Sequence, residues 1–203
     1  PGGPKSGLTW EDVSGGAGLR VTVPVTMGPD EAARELAPRL SALAGERATA
    51  LSHGESVGAQ RAVPVVTIDG YSGAGKSTLA AAIARLVNGW QVLHLDDWYP
   101  GWDGLAEGAD IARRIAADLR EGRASSYEAW DWDKGTTGAT TRVPLVPTII
   151  EGCGAIEAEA DIAIWIADPG EDERRSRALA RDGQTYAPHW RRWADQDLGR
   201  SIH

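Results

Sequence analysis

The chain contains no phenylalanine, one methionine and a single cysteine. That thiol, Cys153, has no partner for an intramolecular disulfide, which excludes a disulfide-held secreted scaffold and leaves it to pack as a small hydrophobe. No apolar run approaches the roughly 20 residues of a membrane span, and the first residues lack an apolar signal core. No membrane partner is therefore expected, and the chain reads as cytoplasmic. Basic residues are also short, with 21 Lys and Arg against 29 Asp and Glu, a formal net charge of −8. Such a surface repels phosphate backbones, so no nucleic-acid partner is expected. With phenylalanine missing, the nine tryptophans fill the large aromatic positions. Trp90, Trp165, Trp190 and Trp193 read as core or helix-packing residues. His53, His189 and His203 have no metal-ligand spacing, and His94 reads as a packed strand residue.

What is present suits a globular protein. The 203 residues are enough for one sizeable core, and 42% hydrophobic with 25% charged residues argues against global disorder. Residues 1–18 are Gly- and Pro-rich and read as a lead-in. Residues 19–27 alternate as a half-buried strand weakened by Pro24. A helix follows over residues 29–45, with Leu36, Leu40 and Leu43 on one face, Pro38 inside and Gly45 as its stop. Residues 46–61 read as a linker. From residue 62 the pattern changes. Residues 63–68 form an almost continuous β-branched run, the mark of a strand covered on both faces in a parallel sheet. Helices are expected at 76–87, 106–121, 171–181 and 189–198, and further strands at 91–95, 147–150 and 162–167. This alternation defines an α/β protein with a parallel sheet flanked by helices and right-handed crossovers. Two segments result: an N-terminal extension and linker, 1–61, and a main domain, 62–203.

The run from Gly70 to Ser77, Gly-Tyr-Ser-Gly-Ala-Gly-Lys-Ser, satisfies G-x-x-x-x-G-K-[ST] in full. It follows an expected strand and opens an expected helix, the context that gives this motif its meaning. Gly70, Gly73 and Gly75 let the backbone curl so that N–H groups, those of Ser72 and Ala74 included, can face phosphate oxygens. The helix start adds its positive dipole end. Lys76 reaches the outer phosphates, the Ser77 hydroxyl ligates Mg²⁺, and Thr78 supports the same region. The expected ligands are ATP and Mg²⁺.

Three later features separate a kinase from other P-loop proteins. Asp96 and Asp97 follow a strand at the carboxyl edge where α/β sheets bind ligands, and one of them can accept a proton from an attacking hydroxyl. Glu151 ends another strand, where a carboxylate can hold magnesium. Arg174, Arg177 and Arg181 share one face of a helix and could close over a transferring phosphate. Trp98 and Trp102 lie beside this site and could line an acceptor pocket.

Taken together, residues 68–79, Asp96-Asp97-Trp98-Tyr99, residues 127–132, Ile149-Ile150-Glu151-Gly152 and the arginine helix resemble the uridine kinase family of nucleoside and phosphoribulokinase-like P-loop kinases. The resemblance spans about residues 63–198, and residues 95–105 and 179–193 are similar to uridine-kinase-like ATP-binding proteins of actinobacterial type. It implies a P-loop NTPase-type three-layer fold with a small N-terminal strand–helix extension. It further implies Asp96 as the base and a metal-associated group, with Ser77 and Glu151 as its companions at magnesium. Arg177 and Arg181 would belong to the lid, and Asp97, Tyr99, Trp130 and Asp131 would meet the acceptor. Family members acting on uridine carry a His shortly after the segment equivalent to 130–132, whereas Asp133-Lys134-Gly135 follows here. The family also continues past the equivalent of His203 into a last strand and helix near the adenine, so the sheet edge here could bind nucleotide more weakly or need the N-terminal unit to cover it. The expected partners are ATP and a small hydroxyl-bearing substrate, with a homo-oligomer compatible. The acceptor stays open between a nucleoside such as uridine or cytidine, another sugar-like alcohol and a pantothenate-like alcohol. A catalytically impaired ATP-binding regulatory or interaction module is the alternative reading.

Overall fold

The computed structural model describes residues 7–13, 18–54, 63–200 and 202. Among these described residues eight strands and five α-helices follow in chain order: β1 Thr9–Asp12, β2 Leu19–Val23, α1 Pro29–Ser52, β3 Val65–Asp69, α2 Lys76–Ala84, β4 Gln91–His94, α3 Leu105–Arg120, β5 Ser125–Asp131, β6 Thr136–Val143, β7 Thr148–Glu151, β8 Ile162–Ile166, α4 Glu171–Asp182 and α5 Trp190–Leu198. Six strands form one sheet in the order β1-β2-β8-β3-β7-β4, and β5 pairs with β6 in a separate hairpin. All neighbours in the large sheet run parallel except β1 and β2.

The β-branched run folds as expected: β3 is buried along its whole length at the sheet centre. Successive residues face opposite sides, so Val66 and Ile68 pack with α1 and α2, while Val65 packs with α3 and α5. The result is three layers, helix–sheet–helix. The carboxyl ends of β2, β8, β3, β7 and β4 converge on one edge, and the glycine loop lies on it.

The N-terminal unit is built into this sheet. β2 lies parallel to β8, with Leu19 opposite Ile162 and Val23 opposite Ile166. It therefore covers the β8 edge, and Val21 and Val23 join the same core as α1 and α2. Strand β1 lies within the expected lead-in, the described part of which is ordered by pairing with β2. Helix α1 does not stop at Gly45; it continues to Ser52. A glycine costs a helix only about 1 kcal/mol, and beyond it the Arg47 guanidinium donates to buried Asp161 at 3.0 Å. That contact ties the last turns to the sheet, because the other Asp161 oxygen accepts the Val65 N–H. Of the expected linker, 46–54 belongs to this helix and its end, and 55–61 lies outside the described residues. Helix α2 ends at Ala84 rather than 87, and Leu95 opens a 3-10 turn instead of extending β4. No helix among the described residues is long and apolar enough to cross a membrane.

Candidate active site

The glycine loop takes the shape the motif requires. Gly75 caps α2 at φ 107°, a conformation that side chains rarely adopt. Gly73 sits at φ 81°, and a Cβ there would fall 2.1 Å from the Arg174 carbonyl oxygen, so α4 packs directly on the loop. Lys76 is buried and its ammonium donates to the Tyr71 carbonyl at 3.1 Å.

A buried ion network holds the loop from behind. The Asp69 carboxylate accepts from the N–H groups of Gly70 (2.6 Å), Gly154 and Ile156 (both 3.0 Å). Arg200 donates to both Asp69 oxygens, at 2.8 and 3.1 Å, and to Asp197 at 2.7 Å. Asp197 in turn accepts the Ser72 N–H at 2.6 Å and the Tyr71 carbonyl accepts the Ala74 N–H at 2.9 Å, so these two N–H groups, expected to face phosphate, bond within the protein instead; the Ser72 and Tyr186 hydroxyls are 2.7 Å apart. Asp69, Asp197 and Arg200 were not legible as site residues: no motif links positions 69, 197 and 200, and the one sequence signal was an acidic residue directly before Gly70.

Glu151, at the end of β7, is opposite Ile68 on one neighbour and His94 on the other. Its Oε1 accepts the Ser77 hydroxyl at 3.1 Å and lies 2.6 Å from His94 Nδ1. His94 is thus a close hydrogen-bonding partner of Glu151 rather than simply a packed residue. That hydrogen bond raises the His94 pKa against the opposing effect of burial. Asp96, in the turn after β4, lines a cleft and stays open to its water, yet protein surrounds it on most sides. Desolvation chiefly, and then Glu151, push its carboxyl above the ordinary range, with Arg181 and Lys76 opposing. Burial acts to lower the Lys76 pKa, but the Cys153 sulfur, Asp197, Asp69 and Glu151 outweigh it and the net shift is upward. The Cys153 thiol is itself pushed up to about 12 by burial, so at neutral pH the carboxylates supply this field.

These groups form the polar end of a cleft of about 460 Å³. Its far end is aromatic. Trp102 stacks on His189 (centroids 4.4 Å, planes 10° apart) and on Tyr186 (5.3 Å, 25°), with Trp132 at 4.9 Å and Trp193 at 6.3 Å. Trp132 also donates its indole N–H to the Asp96 carbonyl at 2.8 Å. Trp193 is buried as expected but also walls the cleft, and His189 contributes a ring to it. Trp98 points away, donating to the Gly108 carbonyl in the core.

Of the four acceptor-side candidates, Tyr99 alone lines this cleft, its hydroxyl donating to the Cys153 carbonyl at 2.6 Å. Asp97 is exposed beside it. Trp130 lies on the hairpin away from the walls, and Asp131 caps the hairpin turn by accepting the N–H groups of Asp133 and Lys134. On the arginine face, Arg174 is buried and braces the loop, bonding Asp168 at 2.7 Å and the Ser72 carbonyl at 3.3 Å. Arg177 pairs with Glu173, while Arg181 pairs with Asp182 and faces the cleft. Ala74, Gly75 and Thr78 face the other, β2 side of the loop. Ser77, Glu151 and Asp96 offer oxygen donors only, the set a hard cation prefers. No closed cage of three His, Cys, Asp or Glu side chains exists among the described residues. This fits Mg²⁺, which is commonly held by one or two side chains together with water and phosphate oxygens.

No protein-family model and no curated protein matches the chain. Among solved structures it is similar to a candidate uridine kinase from Bacillus stearothermophilus, at 18% identity over 75% of this chain and 90% of that one, with a TM-score of 0.47. It is also similar to a candidate fructose transport system kinase from Silicibacter sp. TM1040, at 18% identity over 79% and 96%, with a TM-score of 0.49. A likeness this distant assigns no activity; the fold rests on the sheet order and loop described above.

Proposed function

We propose that the protein is an ATP-dependent small-molecule kinase that transfers the γ-phosphoryl group to a hydroxyl acceptor, with a uridine- or cytidine-like nucleoside as the first acceptor to try. The observation that carries this reading is one continuous cleft with Lys76, Ser77, Glu151 and Asp96 at one end and an aromatic enclosure at the other. Phosphoryl transfer needs positioning and charge compensation more than covalent help from the protein.

In this reading the N–H groups of Gly73, Gly75, Lys76, Ser77 and Thr78 hold the polyphosphate and Lys76 compensates its charge. Ser77, Glu151 and Asp96 would hold Mg²⁺, which when bound offsets charge on the phosphates. The Asp96 carboxylate accepts the proton of the acceptor hydroxyl as the oxygen attacks. Arg181 faces Asp96 across the cleft and compensates charge on the transferring group, with Arg177 in support. The acceptor ring lies against Trp102 and Trp132, with Tyr99 behind it. Asp97, Trp130 and Asp131 take no part in this arrangement.

The test is ATP consumption with Mg²⁺ across a panel of alcohols, nucleosides first. The expected result is stimulation by one acceptor, with a phosphorylated product, and its loss in Asp96→Asn. ATP binding without acceptor-dependent turnover anywhere in the panel would replace this reading with that of a nucleotide-binding module.

A further inference from the structure

The aromatic end of the cleft has much ring surface and few disengaged hydrogen-bonding groups. The Tyr99 hydroxyl donates to the Cys153 carbonyl at 2.6 Å, and the Tyr186 hydroxyl lies 2.7 Å from that of Ser72. The Trp132 indole N–H is directed at the Asp96 carbonyl. Among the described residues lining the cleft there is no Asn or Gln. Its carboxylates are Asp96 and Glu151 at the phosphate end, and Asp182, which Arg181 holds at 2.7 Å. The aromatic wall is left with the Thr185 hydroxyl and the ring nitrogens of Trp102, His189 and Trp193.

We infer that the acceptor is an alcohol whose body is a flat, apolar ring on a short arm, an aryl alcohol rather than a polyhydroxylated one. This rests on the kinase reading given above and narrows its acceptor. The wall rings already meet face to face, as Trp102 and His189 do, and edge to face, as Trp102 and Trp193 do, so a further flat ring extends the same packing. Trp132 is bonded to the backbone of Asp96 itself, so a ring lying against it sets a hydroxyl on a short arm beside the proposed base. The alcohol oxygen then forms the new bond to the γ-phosphorus, the bond from that phosphorus to the bridging oxygen breaks, ADP leaves, and the hydroxyl proton passes to Asp96.

The same wall disfavours a sugar. A row of hydroxyls gives up water on entering the cleft, and each one left without a partner weakens binding about 10-fold. The bonds within the wall would have to break before Tyr99, Tyr186 or Trp132 could serve such a body.

The test is titration of the full chain by 2-phenylethanol, ribose and uridine, followed by tryptophan fluorescence. The native chain should half-saturate with 2-phenylethanol at a concentration at least about 10-fold below that for ribose or uridine. Trp132→Leu keeps apolar bulk but removes the ring, and Trp102→Ala removes the centre of the stack. Each should weaken 2-phenylethanol about 10-fold. MgATP is titrated into the same samples as a separate readout of the phosphate end. Ribose or uridine binding as tightly as 2-phenylethanol would overturn the inference, as would no saturable binding of 2-phenylethanol or undiminished binding in both variants. Where a variant also loses MgATP, the comparison of the three alcohols in the native chain decides. A native chain that binds MgATP but not 2-phenylethanol loses this inference alone, whereas one that binds no MgATP loses the kinase reading itself.

Discussion

The imidazole of His94 lies 2.6 Å from Oε1 of Glu151, the same oxygen that accepts the Ser77 hydroxyl at 3.1 Å. Both residues end parallel strands and stand opposite each other in the β4–β7 register, so the sheet itself brings them together. His94 fixes the direction of a carboxylate that the proposed mechanism needs at magnesium. His94→Ala should raise the Mg²⁺ concentration for half-maximal activity about 10-fold, the usual scale for groups that orient a ligand. Magnesium titration of the activity checks it; an unchanged requirement would show that Glu151 needs no such support.

The raised pKa of Asp96 has a sign in both activity and stability. As proton acceptor Asp96 must be ionised, so kcat/KM should fall as pH drops through a value above the ordinary carboxyl pKa of about 3.9. Asp96→Asn should lower kcat by about 10²- to 10⁴-fold. Its folded pKa lies above its unfolded one, so its contribution to stability is greatest below the unfolded value and declines as pH rises through the folded value. Asp96→Asn should accordingly raise Tm at neutral pH while removing activity. Thermal melts and pH–rate profiles of both proteins check the pair of effects.

Arg200 is the cation shared by two buried carboxylates, Asp69 and Asp197, and those carboxylates hold the N–H groups of Gly70 and Ser72. Removing it deprives both buried carboxylates of their ion-pair partner, a loss that commonly costs about 3–5 kcal/mol, with Lys76 and the backbone N–H groups offsetting part of it. Arg200→Ala should therefore lower unfolding stability by that order in urea titrations, with nucleotide affinity falling alongside. A change within about 0.5 kcal/mol, as for an ordinary surface residue, would show that the network does not hold the loop.

Gly73→Ala tests the contact between the loop and α4. The methyl group would enter the space of the Arg174 carbonyl, and the residue would be held at φ 81°. The strained backbone alone costs about 1–3 kcal/mol, and relieving the clash must separate α4 from the loop. Lower stability should come with weaker ATP binding, read by melting and by titration.

The sequence shows some of this architecture clearly and some not at all. Strands β3 and β8 are legible because burial on both faces leaves an apolar or β-branched run, interrupted in β3 only by its final Asp69, and the glycine loop because its chemistry fixes its spacing. The hairpin was not: β6 is rich in threonine and exposed along most of its length, so it has no hydrophobic period. Gly45 reads as a helix stop only until the long-range pairing of Arg47 with Asp161 is known. In the candidate site, Lys76, Ser77, Asp96 and Glu151 lie at the polar end of one cleft as their motifs suggest. The aromatic end is drawn from four separate segments: Trp102 is legible from its place beside the Asp96 turn, but no local pattern announces Trp132, Tyr186, His189 and Trp193 as its neighbours.

The central claim is that the loop over residues 70–77 binds the phosphates of ATP through Lys76. Calorimetric titration of the native chain and of Lys76→Ala with ATP and Mg²⁺ tests it most directly. The account predicts saturable one-to-one binding by the native chain and a loss of about 100-fold or more in the variant, since a buried charge pairing is removed. Equal affinity in the two proteins would contradict it.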